Sequence, residues 1–190
     1  MDRAGLRVSR IKPLEAPFPD WFAEAMAKVM PPGVPPLALF RSIATSERAW
    51  TKFSAGSLLD KGPLSLRQRE VVIDRTTARC GCDYEWGIHA ALFARRADLS
   101  EAQLADSAAE SIDPGLWADD EIVLLATTDA LLDRKRLEDA EFDRLRAHFS
   151  DSQILEIVQL VAFYHGVSLI CGTLALAPEP GTPTLPFKGV

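Results

Sequence analysis

Cysteine is scarce in this chain. There are three in 190 residues, an odd number, and no even framework of structural disulfides can be built from them. The opening Met1-Asp2-Arg3-Ala4-Gly5-Leu6 lacks an apolar core of the length a secretory signal requires, so reduced thiols and a cytoplasmic address are expected. Basic residues do not cluster either: 21 Lys and Arg against 27 Asp and Glu leave a net charge of −6, and the arginines are spread among acidic neighbours. Nucleic acid and anionic membrane surfaces are therefore not expected partners. Also missing is any run of alternating β-branched residues bounded by hairpin turns, which excludes a strand-based architecture and predicts an all-α fold. No solenoid repeat or low-complexity tract is present.

Of what is there, 47% hydrophobic and 25% charged residues are ordinary values for a globular protein, and the length suits one domain with one core. Residues 1–20, with Pro13, Pro17 and Pro19, read as an extended arm that packs across a neighbour through Ile11, Leu14 and Phe18, as arms of oligomers do. Residues 21–177 read as the helical domain, and residues 178–190, with four prolines, as a surface tail or partner-clasping arm. Helices are expected over 21–30, over 37–55 after Pro35-Pro36, and over 66–79 behind a Ser65/Gln68 capping box. Cys80-Gly81 interrupts the pattern, and the next helix should start at Cys82 or Asp83 and end near Ala97. Ser100 with Gln103 opens another, residues 119–133 and 139–149 two more, and Ser150 with Gln153 caps the last. That final segment holds the most apolar run, 154–177, long enough to pose the question of a membrane span. Glu156, Gln159 and His165 favour a buried helix instead.

Chemistry concentrates in Cys80-Gly81-Cys82-Asp83-Tyr84-Glu85-Trp86-Gly87-Ile88-His89, with Glu70 twelve residues before Cys82. On a helix at roughly 100° per residue, Cys82, Glu85 and His89 span only about 60° of one face. A thiol reacts as thiolate, and the first turn of a helix favours that form through free N–H groups and the positive end of the dipole. His89 is placed to relay a proton, and Glu70 to orient its ring. Cys80 is a candidate second thiol, Trp86 with Tyr84 a candidate pocket wall. The plain alternative is a buried small residue beside a satisfied core histidine. As zinc ligands, Cys82, Glu85 and His89 match no common spacing, so no metal is expected, and no motif calls for a cofactor. His148, His165 and Cys171 are isolated and read as structural.

Met30-Pro31-Pro32-Gly33, the stretch from Leu64 to Glu70, the stretch from Cys82 to His89, and Phe163-Tyr164-His165-Gly166-Val167-Ser168 together resemble the carboxymuconolactone decarboxylase family, which includes the alkyl hydroperoxidase D-like (AhpD-like) proteins. The resemblance implies an AhpD-like multi-helix bundle that assembles into homo-oligomers. In the peroxidase branch the pattern is a glutamate, then twelve residues later a C-x-x-C pair, then a histidine four beyond the second cysteine. Glu70, Cys82 and His89 match it, but Glu85 stands where the second cysteine belongs. A C-x-x-C cycle is therefore impossible. Either Cys80 supplies the missing thiol, giving a peroxiredoxin-like oxidoreductase that needs a thiol reductant, or Glu85, His89 and Glu70 perform acid–base work on a small organic acid or lactone, as the decarboxylase branch does. A non-catalytic ligand-binding member is the remaining alternative.

Overall fold

The computed structural model describes residues 9–186. Residues 1–8 and 187–190, the outer parts of the two expected arms, lie outside the described residues. Those described form nine α-helices and one short 3-10 turn (Pro114–Leu116), with no strand among them. The helices are α1 (Asp20–Val29), α2 (Ala38–Ile43), α3 (Glu47–Ser54), α4 (Leu66–Arg79), α5 (Asp83–Phe93), α6 (Glu101–Ser107), α7 (Asp119–Arg134), α8 (Asp139–His148) and α9 (Asp151–Leu174).

Capping explains most boundaries. Ser65, Ser100 and Ser150 each accept a hydrogen bond from the backbone N–H three residues on, while Gln68, Gln103 and Gln153 reach back to the cap. Each box satisfies two N–H groups that the first helical turn leaves without partners. Two expected boundaries differ. The single helix over 37–55 is broken into α2 and α3, because Ser46 adopts an extended conformation and its hydroxyl caps the Ala49 N–H, starting a new helix where a continuous one was expected. The helix expected to run to Ala97 stops at Phe93. The chain then closes through turns to Asp98, whose φ is 55°, and the Arg67 guanidinium donates to the Ala97 and Asp98 carbonyls.

α4 is the hub, packed against α5, α6, α7 and α9. Every residue from Glu70 to Thr77 is buried, although the segment is rich in polar groups. Burial of such groups costs several kcal/mol unless each finds a partner. Most do: Thr76 and Thr77 donate to the Val72 and Ile73 carbonyls, and the Arg75 guanidinium forks onto Asp129 at 2.8 and 2.7 Å while donating to the carbonyls of Ser107 and Ala109. Around this polar axis an apolar shell from Phe22, Trp50, Leu124, Leu125, Leu145, Ile157 and Leu160 closes the core. α9 is long and apolar enough to cross a membrane, but one side of it is packed on α4, α5, α7 and α8.

The described parts of both terminal segments, from residue 9 and up to residue 186, lie along the helical domain. The Arg10 and Leu14 N–H groups donate to the Leu174 and Arg41 carbonyls, and Leu14 and Phe18 pack on the core while Ile11 stays exposed. After the left-handed cap Ala175, the tail crosses the start of α5: Tyr84 donates to Glu179 at 2.6 Å, and Asp83 accepts from the Leu185 N–H. Gly87 lies under this crossing, where a Cβ would run into the Pro183 carbonyl oxygen.

Candidate active site

Three helices supply the site. α4 contributes Glu70 and, one turn on, Asp74. α5 contributes Glu85 and His89, with Cys82 at its N-cap. α9 contributes Tyr164, His165, Ser168 and Cys171. Between α4 and α5 the chain reverses over Gly81, whose φ of 63° favours glycine, so that Cys80 ends one helix and Cys82 begins the next.

The expected convergence of Glu70, Glu85 and His89 is present. His89 Nδ1 stands 2.6 Å from Glu70 Oε2 and Nε2 stands 3.5 Å from Glu85 Oε1, while its ring stacks on Phe93 and meets the edge of Tyr164. Burial would by itself lower the imidazole pKa, but the two carboxylates outweigh it and raise it to about 10. At neutral pH His89 is therefore an imidazolium that donates to Glu70 through Nδ1 and is ion-paired with Glu85 through Nε2, with Glu70 also held at Oε1 by Arg69. Asp74, absent from the sequence-based candidates, lies next to this pair. Burial pushes its carboxyl up to about 8, with His89 opposing and Glu70 reinforcing the rise. Asp74 is thus a neutral acid at pH 7. One oxygen of Asp74 and one of Glu85 are buried without a hydrogen-bond partner.

The thiols fall into two environments. The neighbouring Cys171 thiol, against burial and with help from the Glu85 N–H and the Ser168 hydroxyl, lowers the Cys82 pKa. Cys82, together with burial, raises that of Cys171. Cys80 faces elsewhere: its Sγ is 3.7 Å from His165 Nδ1, and burial pushes its pKa up. All three cysteines are free. A surface cavity of about 260 Å³ opens beside Cys80, walled by Arg79, Asp133, His165 and Ser168 among others. The Glu70–His89 pair is not part of that wall.

Trp86 and Tyr84 are placed apart from the imidazole. Trp86 packs with Ala90 and Leu185 under the tail, and Tyr84 accepts from the Leu39 N–H while donating to Glu179. Among the described residues no three His, Cys, Asp or Glu side chains are arranged to hold a metal ion. Four contributors were not among the sequence-based site candidates, Cys171 having been read as structural, yet they left a signal there. Asp74 is four residues from Glu70, and Tyr164, Ser168 and Cys171 are spaced i, i+4, i+7, the same one-face spacing that singled out the α5 group.

This all-helical arrangement defines an AhpD-like fold. The chain superposes on an uncharacterized peroxidase-related protein with an alkylhydroperoxidase AhpD core from Ralstonia eutropha, with a TM-score of 0.78 at 21% identity over 93% of this chain and 95% of that one. It matches another peroxidase-related protein, from Silicibacter, with a TM-score of 0.74 at 18% identity over 96% and 97% of the two chains. A protein of unknown function from Agrobacterium tumefaciens follows with a TM-score of 0.65 at 22% identity over 72% and 94%. The model of the carboxymuconolactone decarboxylase family matches residues 44–129, in agreement with the motif resemblance. That region contains Glu70, Cys82, Glu85 and His89 but ends before α9. No curated protein matches the chain.

Proposed function

We propose that this protein is a thiol oxidoreductase that reduces hydroperoxides through Cys82. The observation that carries the reading is the Cys82 thiol itself. It sits at the N-cap of α5, its pKa is lowered by the neighbouring Cys171 thiol and the Glu85 N–H, and it lies one turn from a buried carboxylate–imidazolium group. Low pKa and placement at a helix N-terminus are what make a cysteine nucleophilic. The Cys82 thiolate attacks the outer oxygen of a hydroperoxide, the O–O bond breaks, and sulfenate forms as the alkoxide leaves. The departing oxygen takes a proton that reaches it along the α5 face, with Glu85 nearest the sulfur and the His89 imidazolium as reservoir. Glu70 keeps that imidazolium charged and fixed in orientation. A thiol of external origin returns the enzyme to its reduced state.

The test is hydroperoxide consumption in the presence of a dithiol reductant. Cys82→Ser should reduce turnover at least a hundredfold while leaving the fold intact, and unchanged consumption by that variant overturns the proposal. A second reading, proton transfer on a small organic acid, is favoured by one observation, the neutral Asp74 carboxyl beside the His89 imidazolium, a protonated acid next to a held cation that suits acid–base catalysis. It requires that Glu85→Gln abolish proton exchange into a candidate keto acid or lactone while Cys82→Ser leaves that exchange alone.

A further inference from the structure

One thiol and one imidazole take no part in the chemistry of Cys82. Cys80 closes α4, half-buried, and its Sγ stands 3.7 Å from Nδ1 of His165 on α9. The two residues are 85 positions apart in the chain and meet because α9 packs on α4. Both line the surface cavity of about 260 Å³, with apolar Leu132 and Leu169 and polar Arg79 and Asp133 around them. The Arg79 guanidinium is already paired, with Asp133 at 3.2 Å and Asp129 at 3.4 Å, so it offers a ligand hydrogen bonds but no unspent charge. Sites that hold drug-sized molecules run to roughly 300–1,000 Å³, and this one is smaller. A small, uncharged ligand fits it. Burial holds the Cys80 thiol protonated, as does its place at the C-terminal end of a helix, so attack needs a base at the sulfur. His165 is the base in reach.

We propose that the Cys80–His165 pair and its cavity form a second thiol site, separate from Cys82, that takes a small uncharged organic disulfide and becomes thiolated at Cys80. In the tautomer with its proton on Nε2, His165 accepts the Cys80 proton at Nδ1. The Cys80 sulfur attacks one sulfur of the bound disulfide, the S–S bond of the ligand breaks, and the leaving thiolate takes the proton back from the imidazolium. The products are a mixed disulfide at Cys80 and one molecule of thiol, so thiols and disulfides are conserved in number and no further oxidant or reductant is consumed. Leu132 and Leu169 cover the carbon chain of the ligand, and the Arg79–Asp133 pair meets its polar end. A second thiol reverses the exchange and frees Cys80. The inference does not rest on the peroxide chemistry of Cys82, and either can fail without the other.

The experiment is to incubate the reduced full-length protein with increasing 2-hydroxyethyl disulfide, follow thiolation by intact mass, and locate it by peptide mapping without reduction. Because no Lys or Arg separates Cys80 from Cys82, the map is repeated with Cys82→Ser. The expected result is a first hydroxyethylthio group at Cys80 in both proteins, removed by dithiothreitol and added at a rate that saturates with disulfide concentration. His165→Gln should slow the addition at least tenfold. Leu169→Trp, at a position 59% exposed, narrows the cavity without touching the thiol or the imidazole and should slow it at least threefold. A first addition at Cys82 or Cys171, or none at all, overturns the proposal. So does addition at Cys80 that stays linear in disulfide, which is the behaviour of a thiol that is merely exposed, and so does a wild-type rate in His165→Gln. Where that variant does not fold, the saturation curve and Leu169→Trp decide the outcome.

Discussion

Replacing Glu70 by Gln keeps the volume of a fully buried side chain and removes its charge, leaving the His89 imidazolium with only Glu85, at 3.5 Å, for compensation. In the folded protein the two carboxylates lift the imidazole from an ordinary 6.5 to about 10, which at 1.36 kcal/mol per pKa unit amounts to roughly 5 kcal/mol in favour of the charged form. Glu70, at 2.6 Å, carries the larger share. Breaking one side of a buried pair costs about 3–5 kcal/mol. The variant should therefore lose about 3 kcal/mol near pH 6, which for a chain of this size lowers Tm by roughly 6–12 °C. The sign with pH follows from the raised pKa. Stabilisation is complete below 6.5, where the unfolded imidazole is also protonated, and it is lost as pH rises through 10, where the folded one gives up its proton. Urea unfolding of both proteins at pH 6 and at pH 10.5 measures this. A gap below about 1 kcal/mol at pH 6, or a gap that is just as large at pH 10.5, refutes the charged-pair account.

Asp74 has its folded pKa raised as well, from 3.8 to about 8, so its burial costs nothing below pH 3.8 and costs progressively more up to pH 8. Asp74→Asn should flatten that fall and make the protein more stable than wild type at pH 7, by up to about 4 kcal/mol, in the same urea titration; a less stable variant means that the carboxyl is ionised and needed. Gly87→Ala should gain helix propensity of about 1 kcal/mol but lose more, because the new methyl meets the Pro183 backbone carbonyl and no side-chain rotation relieves it. The tail is then displaced from Trp86, which limited proteolysis within residues 178–186 and Trp86 fluorescence both report; an unchanged cleavage pattern refutes the contact.

Helix boundaries were legible wherever a local rule sets them. The Ser-x-x-Gln boxes before α4, α6 and α9 involve contacts three residues apart, so composition and order alone place them. The break at Ser46 was missed because a serine tolerated inside a helix and a serine that caps a new one look the same until the Ala49 N–H is known to need a partner. The α5 group was visible because Cys82, Glu85 and His89 share one helical face, and Glu70 because the family motif names it. Asp74 was hidden inside a helix whose polar residues resemble a solvated face, and nothing local distinguishes a carboxylate in water from one sealed among α5, α7 and α9.

By itself the chain determined the all-helical class, the reversal at Gly81 and the dense face of α5, since all three depend on neighbours within a few residues. Only the tertiary structure decided that polar α4 runs through the centre, that His89 is held as a cation, and that Cys80 faces His165 of α9. Each of those outcomes depends on which groups lose water together when helices far apart in sequence pack. Burial and pairing across such distances set both the charge of a side chain and the neighbour it can react with.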